Sequence, residues 1–256
     1  MILAIANQKG GVGKSTTAQA LAAGLNQLKK KTLLIDLDPQ CNLTYSCGID
    51  PDETEIDVAD LLEKKATAKV AIVHTAEGDI IPGNYYLTDA DLRFGRAKRR
   101  EYLLADALAP VVNDYQYIII DCPPTIGILT INALSVADSV LIPVEAGIYS
   151  MQGLGQLQQT INNVKTHSNP KLTINGLLLT RYRNANINKQ AQEAIRGIAE
   201  RLNTKKYDTV IRTGKAAGES QSARVSVIKY SPRSNVAKDY QDFIQEFLKG
   251  ERKNGK

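Results

Sequence analysis

The chain has 256 residues, 43% hydrophobic and 23% charged, with three cysteines and two histidines. That length suits one α/β domain, and the composition excludes a chain that is disordered, collagenous or coiled-coil throughout. Residues 1–128 carry 13 basic against 17 acidic side chains and residues 129–256 carry 19 against 10, so a net +5 divides into −4 and +9. Such asymmetry suits a face turned to a polyanion, and equally a set of solvated helices.

Ile2–Ala6 is a continuous apolar run, followed by a loop with Gly10, Gly11 and Gly13. Ala18, Leu21, Ala22, Leu25 and Leu28 then recur at helical steps, with Lys29, Lys30 and Lys31 expected to close that helix. Apolar strands are predicted at Thr32–Leu37, Tyr117–Ile120, Ser139–Val144 and Leu172–Thr180, with helical patterns near 98–109, 129–137 and 149–165. Strands without alternation suit a sheet covered on both faces, and strands alternating with helices suit parallel pairing. The expectation is an α/β fold with a single doubly wound, mostly parallel sheet: one domain over 1–250, a last helix over Asn235–Leu248, and a polar, frayed tail over Glu251–Lys256.

The apolar runs stop at Asp121, Asp138 and Glu145, well short of the roughly 20 residues of a membrane span. Met1–Ala6 is too short for a signal peptide, so a cytoplasmic location is expected. Cys41, Cys47 and Cys122 form no CxxC pair and are read as reduced thiols. Two histidines, His74 and His167, make a His-based triad or a multi-His metal site a poor fit.

Gln8-Lys9-Gly10-Gly11-Val12-Gly13-Lys14-Ser15-Thr16 lies between the first strand and the first helix, which is where a phosphate loop belongs. Its glycines let backbone N–H groups turn inward around a β-phosphate, and the helix start adds a positive dipole. Lys14 can reach the β- and γ-phosphates and Ser15 can ligate Mg²⁺. The usual first glycine is replaced by Gln8, and an extra lysine, Lys9, precedes the glycine pair.

These residues resemble the deviant Walker A ATPases, the P-loop superfamily that includes ParA and MinD. Asp36-Leu37-Asp38-Pro39-Gln40-Cys41-Asn42-Leu43-Thr44 is similar to the family's first switch, with Cys41 where a glycine is usual. Tyr117 to Gly127, with Asp121-Cys122-Pro123-Pro124, is similar to a Walker B strand and second switch. The DPQ and CPP signatures point to the ParA branch of DNA partition, and Pro82-Gly83-Asn84, Gly153 and Ser231-Pro232-Arg233-Ser234 extend the likeness across nearly the whole chain.

The resemblance implies ATP and Mg²⁺ as cofactors, slow ATP hydrolysis and an ATP-dependent sandwich homodimer. It implies Lys9, Gly10, Gly11, Val12, Gly13, Lys14, Ser15 and Thr16 on the nucleotide, with Lys9 reaching the partner copy's nucleotide. It also implies Ser15, Asp36 and Asp121 around the metal and Asp38 orienting the attacking water. The partners implied are non-specific double-stranded DNA on the nucleoid and a ParB-like centromere-binding protein that stimulates hydrolysis. Lys205, Lys206, Arg212, Lys215, Arg224, Lys229 and Arg233 fall in a stretch with only Asp208 and Glu219 as acids, and of these Lys205, Lys206, Arg212, Lys215, Arg224 and Arg233 are the candidate DNA contacts. Because the first strand starts at Ile2, no N-terminal helix-turn-helix and no sequence-specific repression are expected.

Two alternatives keep the same chemistry. One is a ParA-like ATPase that positions a protein cargo. The other is a MinD-like membrane-cycling ATPase using the helix face of Tyr240, Phe243, Ile244, Phe247 and Leu248, although Asp239, Asp242 and Glu246 would oppose acidic lipid. The three cysteines match no iron–sulfur arrangement of the nitrogenase iron-protein kind.

Overall fold

The structure is a computed structural model that describes the backbone of residues 1–145, 150–182 and 185–254, and all their side chains except those of 150–152, 185–191 and 252–254. Its strands are β1 (Ile2–Ile5), β2 (Thr32–Asp36), β3 (Val73–Thr75), β4 (Gly78–Ile81), β5 (Tyr117–Asp121), β6 (Ser139–Glu145), β7 (Thr173–Tyr182) and β8 (Lys206–Arg212). They form one sheet in the order β3-β4-β2-β5-β1-β6-β7-β8, parallel except for the β3–β4 hairpin at one edge.

The apolar strands do not alternate because each face has its own core. Ile2, Ala4, Leu33, Ile35, Ile118 and Ile120 point into one, under helices that include Leu103–Leu108, Ile128–Val136 and Ser150–His167. Leu3, Ile5, Leu34 and Ile119 point into the other, against the first helix, Lys14–Gln27, and the terminal helix, Asn235–Asn254. Tyr240, Phe243, Ile244 and Phe247 are buried in that second core, so the face considered for a membrane is already covered by the sheet. Among the described residues no helix is long and apolar enough to cross a membrane.

Several expectations shift. The first helix ends at Gln27, so Lys29–Lys31 lie beyond it and Lys29 takes a left-handed φ of 58° in the turn. The 98–109 pattern resolves into a 3-10 turn, Arg100–Tyr102, and the short helix Leu103–Leu108. The terminal helix continues past Leu248 to Asn254; residues 255–256 of the expected tail, like residue 149 of the 149–165 pattern, lie outside the described residues. The hairpin β3–β4 and strand β8 carried no apolar run to announce them. His74, Thr75 and Asp79 leave the hairpin half polar, and β8, as the other edge, has polar residues on its exposed positions.

Candidate functional site

The glycine-rich loop leaves the carboxyl end of β1, flanked in the sheet by β5 and β6, where strand order reverses and a crevice opens. Gly11 and Gly13 have φ of 73° and 83°, a region that side chains disfavour, and this turns the loop into the first helix. The first helical bond runs from Thr17 N–H to the Gly13 carbonyl at 2.9 Å. No acidic residue occupies the first turn, so the helix start is electrostatically open to an anion. The loop's entry is pinned by Asn7, whose amide donates to the Pro143 carbonyl at 2.7 Å and whose oxygen accepts from Lys9 N–H at 3.0 Å.

Sheet register then brings three aspartates to this loop. Asp36 ends β2 directly opposite Asp121, which ends β5. Asp36 accepts from Asp38 N–H at 3.0 Å and from Thr44 N–H and hydroxyl at 2.9 and 2.7 Å. Thr44 in turn accepts from Gly83 N–H at 2.8 Å, and a Cβ on Gly83 would sit 3.1 Å from the Asp36 carboxyl carbon. Asp36 therefore ties the first switch to the Pro82-Gly83-Asn84 segment. Of the residues expected around the metal, it is the one whose carboxylate is already committed to protein donors. Burial pushes its pKa to about 6 in spite of those donors.

Asp121 is fully buried and raised well above the usual carboxylate range, first by burial and then by the charge of Asp36; the Ser15 hydroxyl and Lys14 pull the other way. Neither of its oxygens has a well-formed hydrogen bond among the described residues. A buried carboxylate with no well-formed hydrogen bond, beside a P-loop serine, fits a hard cation reached through water. Among the described residues no cluster of three or more His, Cys, Asp or Glu is placed to hold a metal ion by itself.

Asp38 is 5% exposed and accepts from Gln40 N–H at 3.0 Å; burial raises its pKa, while Gln40 N–H and Lys14 lower it. Cys41 caps the short helix Asn42–Ser46 with φ 53°, so the left-handed geometry is kept without glycine. Lys9 is turned back onto its own subunit: its ammonium pairs with Glu145 Oε2 at 2.7 Å, at the end of β6.

The site opens into a cleft of ≈ 830 Å³ lined by the P-loop, Asp38, Gln40, Thr180, Arg181, Ile211 near the end of β8, Gly214 and Gln221 after it, and Val236 and Tyr240 of the terminal helix. Gln221 donates to the Thr16 hydroxyl at 3.0 Å, and Tyr240 and Thr17 share a hydrogen bond of 3.1 Å. The sequence reading assigned no residues to this wall of the cleft; recognising β8 would have pointed to it, since crevices at the carboxyl ends of parallel strands are where ligands gather.

The six basic residues proposed for DNA are not gathered on one patch. Lys205 and Lys206 stand at the start of β8 and Arg212 at its end, roughly 20 Å apart at strand rise. Lys205 lies 4.3 Å over the Tyr207 ring and Lys206 donates to the Tyr207 carbonyl at 2.8 Å. Arg212 forks onto Asp239 at 2.6–3.1 Å, Lys215 lines the cleft, and Arg224 stacks 4.0 Å from the ring of Tyr45, in the short helix Asn42–Ser46. Lys229 pairs with Glu77 at 3.4 Å. Arg233 is exposed, with no hydrogen bond or ion pair among the described residues.

A family model described as AAA domain matches residues 1–174. The chain is 41% identical over 247 residues to the sporulation initiation inhibitor protein Soj of Bacillus subtilis, covering 96% of this chain and 97% of that protein. It is 38% identical over 252 residues to the chromosome partitioning protein ParA of Myxococcus xanthus, covering 97% and 88%. Among solved structures it is similar to a Mycobacterium smegmatis protein named cobyrinic acid a,c-diamide synthase, with ADP and magnesium bound, at 33% identity and a TM-score of 0.85 over 100% of this chain and 96% of that one.

Proposed function

Because this chain belongs to the ParA family of DNA-partition ATPases, we propose that it is an ATP-driven switch for DNA segregation. With ATP and Mg²⁺ bound, two copies close over the nucleotides and hold DNA without sequence preference. Hydrolysis to ADP and phosphate, stimulated by a ParB-like centromere-binding protein, releases the DNA and moves plasmid or chromosome cargo over the nucleoid.

One observation supports the chemistry: Lys14, Asp38 and the buried Asp121, whose oxygens make no well-formed hydrogen bond among the described residues, follow or end β1, β2 and β5 and interact electrostatically at the mouth of the P-loop. The loop N–H groups and Lys14 would cradle the β- and γ-phosphates. Ser15 directly and Asp121 through water would hold Mg²⁺, which shields the phosphate charges when bound, while Asp36 keeps the first switch in place. Asp38 would orient water for in-line attack, and Lys14 with the partner's Lys9 would stabilise the charge that develops on the γ-phosphate. The segment lining the far side of the cleft, Ile211 to Gln221 with Tyr240, would receive the base.

For DNA, the arrangement favours Lys215, Arg224 and Arg233, near the cleft or facing solvent, over Lys205 and Lys206 at the far end of β8. Each phosphate contact is weak, and pairing two copies multiplies them, so binding should depend on ATP and fall steeply with salt.

The deciding experiment is binding of the Asp38→Ala protein to random-sequence duplex, with ATP and Mg²⁺ or with ADP, across a salt series, beside anionic liposomes. Binding to duplex only with ATP, weakening as salt rises and accompanied by no turnover, is expected. Normal turnover would remove Asp38 from its role, and liposome binding without DNA binding would point to membrane cycling.

A further inference from the structure

We propose that Thr180 and Arg181, the neighbours at the end of β7, are positioning residues that hold the P-loop carbonyls outward and so pre-set its N–H groups for phosphate. A loop that aims successive N–H groups at one anion must turn its carbonyls away from it. The Val12 carbonyl, on a fully buried residue, then needs a donor on the loop's outer side, because a buried carbonyl without one is costly, and a donor to the exposed Gly11 carbonyl fixes its direction.

Two such donors are present. The Thr180 hydroxyl, on a residue 1% exposed, reaches the Val12 carbonyl at 2.8 Å and the Val144 carbonyl at 3.2 Å, tying the loop to β6. The Arg181 guanidinium donates to the Gly11 carbonyl at 2.7 Å, and its Nε lies 3.9 Å from Glu145 Oε1, on the same carboxylate that holds Lys9.

Regular strand geometry would forbid this arrangement, since consecutive side chains leave a strand on opposite faces. Here Arg181 has φ 54°, and pairing with β8 is irregular between Leu179 and Tyr182. The break lets adjacent residues reach adjacent loop carbonyls. Left-handed backbone is unfavourable at an arginine, and such outliers persist where the surroundings over-determine them, often beside active sites.

The inference rests on the nucleotide reading of the loop, which the wild-type protein tests separately by binding a fluorescent ADP analogue with Mg²⁺. ADP is the probe so that dimerisation does not enter the affinity. Thr180→Val keeps the shape and removes the donor; it should weaken ADP binding about tenfold and raise KM for ATP with kcat nearly unchanged, while Thr180→Ser restores wild-type affinity. Arg181→Met, measured at high ionic strength to suppress the loss of a charge, should also weaken ADP binding several-fold, and it carries the test if Thr180→Val does not fold. Wild-type ADP affinity in folded Thr180→Val, or in Arg181→Met at high salt, would overturn the assignment. Absence of binding by the wild type would instead overturn the nucleotide reading.

Discussion

Asp36 and Asp121 end neighbouring parallel strands in register, so the backbone forces two carboxylates together in a fully buried place. Each is legible in the sequence as a carboxylate closing an apolar run. Their pairing is not, because it depends on β2 lying beside β5 across eighty-odd intervening positions. The same proximity has a consequence for stability. A carboxyl at about 6 in the folded chain, against an ordinary value near 3.8, is stabilised in its protonated form. Its contribution is therefore unfavourable above about pH 6, by up to about 3 kcal/mol, and the penalty fades as pH falls towards 4. Asp36→Asn removes the charge but also one acceptor. In magnesium-free buffer the variant's melting temperature, relative to wild type, should compare better at pH 8 than at pH 5; an equal gap at both would place the charge strain elsewhere. Lys9, by contrast, was legible by position, and its ion pair with Glu145 was not, since the two are 136 residues apart and meet only because β6 lies beside β1.

The terminal helix shows how one pattern admits two meanings. Tyr240, Phe243, Ile244 and Phe247 repeat at helical steps, as a core face and a membrane-binding face both would. Packing decides for the core: Phe243 is fully buried and meets Tyr207 of β8 edge-on at 4.9 Å, while Asp239 and Glu246 on the same helix grip Arg212 and the Asp208 and Thr209 N–H groups. The helix thus braces the edge strand that supplies the far wall of the nucleotide cleft. Phe243→Ala should cost about 3–5 kcal/mol, seen as a lower urea midpoint, without creating affinity for anionic liposomes. A variant as stable as wild type would mean that the helix docks by other contacts. The neighbouring elements explain what the sequence concealed. β8 mixes lysine, aspartate and threonine into its run because it is an edge, and β3, the other edge, is short and carries no buried residue.

For the whole molecule the open question is the second copy, and Lys9 is the residue that reports on it. In the single chain its charge is held by Glu145, so reaching a partner's nucleotide would require that ion pair to open. Lys9→Ala should leave ADP binding intact and abolish the ATP-dependent doubling of mass in light scattering. Glu145→Gln, which weakens the hold on Lys9, should move that doubling to lower ATP concentration. A Lys9→Ala protein that still doubles would end the sandwich reading. The order of residues along the chain by itself determined the P-loop and its lysine pair, the aspartates at strand ends, the parallel sheet with helices on both faces, and the charge asymmetry. These are local patterns, readable because backbone geometry imposes fixed periods and because phosphate and metal chemistry demands particular side chains at short spacing. Only the tertiary structure decided which carboxylate is committed to protein donors and which is buried without a well-formed hydrogen bond, which segments wall the cleft, and how a stretch of basic residues is dealt out along and beyond one strand. Those follow from strand order and register, which bring distant residues within hydrogen-bonding reach and carry neighbours in sequence roughly 20 Å apart.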